Sequence, residues 1–328
     1  MTFIEKQLQK INNKEDKFET FLFLPSENNL ERYGEGGLRK KNIFKNSYPD
    51  KPLISVVTTN LNNNIERTIL SVIDQKYENT EFIIKDGGSD KKTLRILNDY
   101  DDQIDYWVSE KDFGIWDGTN RGLKLATGDY IVLLDSGDIF NEGAIKNILE
   151  LIKKNPDADC LLGSCLKKRL MHGYRPKDIT YHFNIFASCS GAFFLKKKAY
   201  KKIGLYNTKY ICSADYDLFY KMIVKHKMLG VCCDNNKILS IKASGGFSEN
   251  YSFFNMLLEE CIIRFDNKQN IFIILFIFFG RCLKKLIHKL NNFDGNIQSK
   301  AIHNNEIENE IIKARTYSES ISKREKHV

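Results

Sequence analysis

DYIVLLDSGD, residues 129–138, is a short apolar run closed by two carboxylates, Asp135 and Asp138, with a serine and a glycine between them. The run has the length and character of a buried strand. Asp and Gly are good turn formers, so LLDSGD taken alone is an ordinary strand exit. Its surroundings decide what more it is.

The same texture recurs upstream, starting at Lys51. LISVVTT (53–59) reads as a buried strand rich in β-branched residues, and IERTILSVIDQ (65–75) puts Ile65, Ile69, Val72 and Ile73 on one helical face. EFIIKDGGSD (81–90) is a second strand with its turn, TLRILNDY (93–100) a helix, IDYWVSE (104–110) a third strand and GTNRGLKLA (118–126) another helix. Strand–helix alternation at these intervals predicts a doubly wound, mostly parallel α/β sheet. Ligands of such sheets bind beyond the carboxyl ends of the strands. Thr58–Asn60, Asp86–Asp90, Glu110–Asp112 and Asp135–Asp138 then share one rim, and successive polar or acidic strand ends exceed what turn chemistry requires. TTNLNNN (58–64), the first turn, contains no glycine. That argues against a dinucleotide fingerprint or a P-loop. A divalent Mg²⁺ or Mn²⁺ reconciles an acidic rim with a phosphorylated ligand, because it takes carboxylate and phosphate oxygens together.

Composition sets bounds. The chain of 328 residues is 42% hydrophobic and has a formal net charge of +8, enough for one large domain with appendages or for two domains. Its eight cysteines (160, 165, 189, 212, 232, 233, 261 and 282) include no CxxC pair and read as thiols of a reducing compartment. MTFIEKQLQK at the amino terminus carries charge where a signal peptide needs an apolar core, so a cytoplasmic location is expected. His172, His182 and His226 have no partner spacing. The expected organisation is an extension over 1–51, a catalytic domain over 52–265 and a helical, basic extension over 266–328.

ISVVTTNLNN, DGGSD, SEKDFGIWDGTNRGLKLATGDY and LLDSGD, continuing through SGAFFLKKKAYKKIGLYN (190–207), SADYDLFYKM (213–222) and SGGFSEN (244–250), resemble in order and spacing the family 2 glycosyltransferases that build bacterial surface polysaccharide. GGLRKK upstream fits too, so the likeness covers about residues 34–265. It implies the GT-A fold, a nucleotide-sugar donor and a lipid-linked or oligosaccharide acceptor. By the same resemblance Thr58 and Asn60 face base and ribose, and Asp86, or Asp90 after it, contacts the base. Asp135 and Asp138 meet ribose and metal (Mn²⁺ or Mg²⁺), Asp138 first. Asp215 matches the catalytic base. There are two departures: Gly137 stands where many members carry Asp, and Ala214 where the family carries Glu before the base.

An inverting transfer is a direct displacement at the anomeric carbon. It needs charge compensation for the departing diphosphate and a carboxylate on the far side to take the acceptor proton. Trp116 and Asp117, in FGIWDGTNRG, are candidates to line the donor or acceptor pocket and Arg121 to contact the diphosphate, Asp217 is a helix-facing neighbour of the base, and Ser248 is a candidate in a Gly-rich segment that folds over the substrate. In NIFIILFIFFG (270–280), followed by Arg281, Lys284, Lys285 and Lys289, an apolar run about half a membrane span long adjoins basic residues. That pattern fits a helix lying on an anionic membrane at the inner face of the cell membrane, with a buried core helix as the other reading. It accounts for part of the basic balance without nucleic acid. Residues 295–328 read as a charged tail, helical or disordered. The rival functions are a sugar nucleotidyltransferase, which should carry a Gly-rich phosphate loop, and a catalytically inactive membrane scaffold.

Overall fold

The computed structural model describes residues 18–26, 31–181, 189–246, 250–291 and 305–326. The main sheet has eight strands in the order β1-β4-β3-β2-β5-β10-β7-β11. Its centre is the predicted parallel unit: β2 (Ile54–Asn60), β3 (Thr80–Asp86), β4 (Tyr106–Glu110) and β5 (Tyr130–Leu133). The chain builds outward from β2 to β3 and β4, then returns to the other side of β2 as β5. That reversal leaves a crevice between the carboxyl ends of β2 and β5. β1 (Arg32–Gly36) closes one edge against β4, and β10 (Phe193–Lys196) lies antiparallel between β5 and β7 (Cys160–Leu162), with β11 (Gly230–Cys232) beyond. A second sheet, β6-β12-β8-β9, is made of β6 (Ile139–Phe140), β8 (Ser164–Leu166), β9 (Leu170–Met171) and β12 (Ile238–Ile241).

Helices cover both faces of the main sheet, so successive strand residues are buried to opposite sides. Val56 and Ile84 pack under α1 (Ile65–Ile73), α2 (Lys91–Asp99) and α4 (Ala144–Lys154). Val57 and Ile83 pack with Leu123 of α3 (Ile115–Leu125), Tyr200 of α5 (Lys197–Ile203) and Leu218 of α6 (Ala214–Tyr220). Beyond these lie α7 (Phe253–Asp266), α8 (Ile271–Asn291) and α9 (Asn305–Arg324). Within the charged tail, Asn305–Arg324 is thus a helix. Its Ala314 and Ile321 are fully buried against the core, and Arg324 and Tyr317 both reach Asp74 at the end of α1.

The described residues before 52 are built into this body. Besides β1, they supply Arg39, which is 2% exposed and pairs with Glu81 at 2.6 Å while donating to the carbonyls of Leu22 and Leu125. Burial works to raise the Glu81 pKa, yet Arg39 and donors from Ser55 and Thr127 hold it below the ordinary value. A buried pair broken on one side leaves an uncompensated charge. Arg39→Met should therefore lower the unfolding free energy by about 3–5 kcal/mol in urea titration; a loss below about 1 kcal/mol would mean that water or a neighbour replaces the guanidinium.

Candidate active site

The turn after β5 is fixed from three sides. Leu134 N donates to Val57 O, Gly137 N donates to Thr68 Oγ1 of α1, and Thr68 Oγ1 donates to Asp138 O at 2.8 Å. Gly137 has φ of 91°, a conformation that an L side chain adopts only with strain. This is a physical reason for glycine at this departure from the family pattern.

A polar chain crosses the crevice from this turn. Ser136 Oγ donates to Asn60 Oδ1 (2.7 Å), and Asn60 Nδ2 donates to Asp86 Oδ1 (2.7 Å). Asp86 is fully buried and also accepts from Ser109 Oγ, Ser89 Oγ and the amides of Gly88 and Ser89. Its oxygens point inward, locking Asn60 and the 87–89 turn. Thr58, two residues before the end of β2, is buried, and among the described residues its Oγ1 has no hydrogen-bond partner. Asp90 accepts from Thr93 N as the N-cap of α2, which holds its carboxyl below the ordinary value.

Asp135 and Asp138 do come together, around a cation that the sequence reading missed. Lys242 Nζ lies 3.3 Å from Asp138 and 3.5 Å from Asp135. Asp138 also accepts from Ala243 N (2.8 Å), and Asp135 from Ser190 Oγ (2.8 Å). Burial, then Asp135, push the Asp138 carboxyl up to about 6 against the opposing pull of Lys242. For Lys242, burial favours the neutral amine, but the two carboxylates prevail and raise its pKa. The resemblance implies a divalent ion here. Among the described residues no group of three or more His, Cys, Asp or Glu side chains is assembled to hold one. The position between the two carboxylates is taken by the Lys242 ammonium, which contacts both.

Asp215 stands at the first turn of α6. It is partly exposed and accepts from Tyr216 N, and among the described residues no side chain donates to it. Burial, with Asp135 and Glu259 as like-charged neighbours, pushes its pKa from 3.8 to about 6. Glu259 of α7 is a second residue the sequence reading did not find. It accepts the backbone amides of Ile211, Cys212 and Ser213 and so sets the loop that presents Asp215. Ala214 is fully buried, and Asp217 is tied to Lys221 and Asn267. Trp116 stacks on Tyr206 and donates to Ile211 O, bracing the same loop.

Asp117 and Arg121 belong to a separate ladder. Arg121 donates to Asp117 and to Glu110, whose other oxygen takes Arg32. Ser248 and His182 lie outside the described residues.

Comparison with known proteins gives this geometry a context. The model of the family described as Glycosyl transferase family 2 matches residues 54–226. An uncharacterized glycosyltransferase of Methanocaldococcus jannaschii is 29% identical over 53% of this chain and 66% of its own. TuaG of Bacillus subtilis, a glycosyltransferase assigned to teichuronic acid biosynthesis, is 34% identical over 40% of this chain and 56% of its own. The chain thus spans less than two thirds of either relative. In fold it is similar to S. aureus TarS 1-349, with a TM-score of 0.52, 15% identity and coverage of 82% of this chain and 83% of that one. A TarS complex with UDP-GlcNAc superposes with a TM-score of 0.50 at 17% identity, over 64% and 66% of the two chains.

The raised Asp215 pKa has a stability consequence. Between about 4 and 6 the folded chain holds a proton that the unfolded chain has lost, so stability falls as pH rises through that window. Asp215→Asn should add about 1–2 kcal/mol at pH 8, discounted for partial exposure, and nothing at pH 3.5. Urea titrations at the two pH values check this.

Proposed function

The chain belongs to glycosyl transferase family 2, and from that premise we propose that it moves a sugar from a nucleotide-sugar donor to an acceptor in surface-polysaccharide synthesis, with inversion at the anomeric carbon. The observation that carries the reading is the Asp215 carboxyl at the first turn of α6, which accepts from Tyr216 N and is raised to about 6 by burial and by the charge of Asp135. A base needs a pKa near the working pH and a proton within reach. Asp215 takes the acceptor hydroxyl proton, the acceptor oxygen bonds to the anomeric carbon, and the bond to the diphosphate oxygen breaks with its electron pair.

The nucleoside is held along Thr58, Asn60 and the turn that Asp86 locks, with the diphosphate over residues 135–138. Asp117 and Arg121 act on the donor through the loop ending at Phe113, whose amide Asp117 accepts. UDP-GlcNAc, the ligand of the TarS complex, is the first donor to try. TuaG's assignment to teichuronic acid supports a surface polymer as the acceptor class.

The acceptor side supports a membrane location. No described helix is long and apolar enough to cross a membrane. Yet Phe272, Phe276 and Phe279 of α8 are exposed, as are Phe254, Leu258 and Phe265 of α7, while Ile274 and Ile277 face inward. The two helices pack together: Arg281 of α8 pairs with Glu260 of α7, and Lys285 Nζ lies 3.9 Å from the Phe253 ring centroid. Apolar side chains beside exposed Lys284 and Lys285 match acyl chains beneath anionic headgroups. Such a surface brings a lipid-linked acceptor to the protein at the inner face of the cell membrane.

Two outcomes test the reading. Asp215→Asn should keep nucleotide affinity and lose about 10²–10⁴-fold in transfer, and wild-type transfer should decline below pH 6. Lost affinity instead would put Asp215 on the nucleotide side. Replacing Lys284 by Gln should weaken co-sedimentation with anionic vesicles by about 1 kcal/mol without changing the melting temperature; full retention would remove the electrostatic part of the membrane contact.

A further inference from the structure

The second sheet brings a lysine to the diphosphate end of the crevice. β6 follows directly on the 135–138 turn and pairs antiparallel with β12, Ile139 opposite Ile241. One residue beyond that pair on each strand lie Asp138 and Lys242, so their approach is a matter of register. Lys242 N also donates to Leu166 O (2.8 Å), anchoring the backbone from the β8 side. The side chain is 17% exposed, so it is held in the fold and still accessible from outside.

We propose that Lys242 is the cation that compensates the departing diphosphate, so that donor binding and transfer need no divalent metal ion. This rests on the glycosyltransferase reading above. An ammonium has three donors; two are directed at Asp135 and Asp138, and the third has no partner among the described residues, so a diphosphate oxygen can take it. The two carboxylates differ in freedom. Asp138 is 4% exposed and pinned by Ala243 N, whereas Asp135 is 51% exposed. When the diphosphate enters, Asp135 is the group that yields, and Asp138 keeps Lys242 in place. A divalent ion between the same oxygens would lie against this ammonium and be repelled by it. The tether keeps Lys242 at high local concentration, so it holds the position against a free ion. In the transfer step the anomeric C–O bond breaks, its electron pair goes to the diphosphate oxygen, and Lys242 stabilises that charge by hydrogen bonding without losing its proton.

Isothermal titration with UDP and with GDP, each in EDTA and in Mn²⁺, tests the inference on the full chain. Wild type should bind one of them with affinities within about threefold in the two conditions. Lys242→Met should bind about 10- to 100-fold more weakly in EDTA, the worth of a lost charged hydrogen bond. It should also gain a response to Mn²⁺, because the vacated carboxylates are then open to a metal. Lys242→Arg should retain most of the EDTA affinity. If Lys242→Met does not fold, the wild-type comparison and Lys242→Arg still decide. Wild-type affinity that collapses in EDTA overturns the proposal, as does a folded Lys242→Met that binds like wild type in EDTA. Binding of neither nucleotide under any condition overturns the donor assignment itself, a result distinct from a collapse confined to EDTA.

Discussion

A carboxylate removed from water must be met by donors or by a cation, and that requirement orders the buried acidic side chains throughout this fold. Glu81 has Arg39, Glu110 has Arg32 and Arg121, and Glu260 has Arg264 and Arg281. Asp86 is met by a set of hydroxyl, amide and side-chain donors, Glu259 by three backbone amides, and Asp138 by Lys242 and Ala243 N. Asp215 departs from the pattern. Backbone amides are its donors and two of its neighbours are themselves acidic, so its proton is held more tightly than an ordinary aspartate's. A group left poised in this way, in a site where the rest are satisfied, is what proton transfer at neutral pH requires.

The parallel centre of the fold was legible because each buried strand is a short β-branched run and each helix carries its apolar stripe. Ile65, Ile69 and Val72 are buried where the periodicity put them. The strand reversal placed the rim, and with it Asn60, Asp86 and the 135–138 turn. Period and composition could not show long-range partnering. Arg39 looked like one cation in a basic, Gly-rich stretch, yet its guanidinium crosses to Glu81 and the carbonyl of Leu125. Likewise α9 is polar enough to read as a tail, and it docks through a few small or apolar positions, Ala314 and Ile321 among them.

Lys242 and Glu259 were missed for a related reason. Lys242 follows a four-residue strand whose partner, β6, is two residues long and carries no periodic signal of its own. Only the pairing register brings it to Asp138. Glu259 sits on a helix with an apolar exposed face, where a single carboxylate looks solvated; its role appears once the 211–213 amides converge on it. The two departures from the family pattern sit in the same places. Gly137 permits the turn that holds Asp138 toward Lys242, and Ala214 is fully buried beside the 211–213 loop that Glu259 holds by its backbone amides.

Asp215 has no side-chain donor among the described residues, and burial and Asp135 raise its proton affinity. Carbon-detected NMR titration of the aspartate carboxyls, with Asp215 assigned by its loss in Asp215→Asn, measures this without reference to any substrate. The account predicts a midpoint near 6 that moves down when Asp135 is replaced by Asn. A midpoint near 3.8, or one indifferent to Asp135, would contradict it.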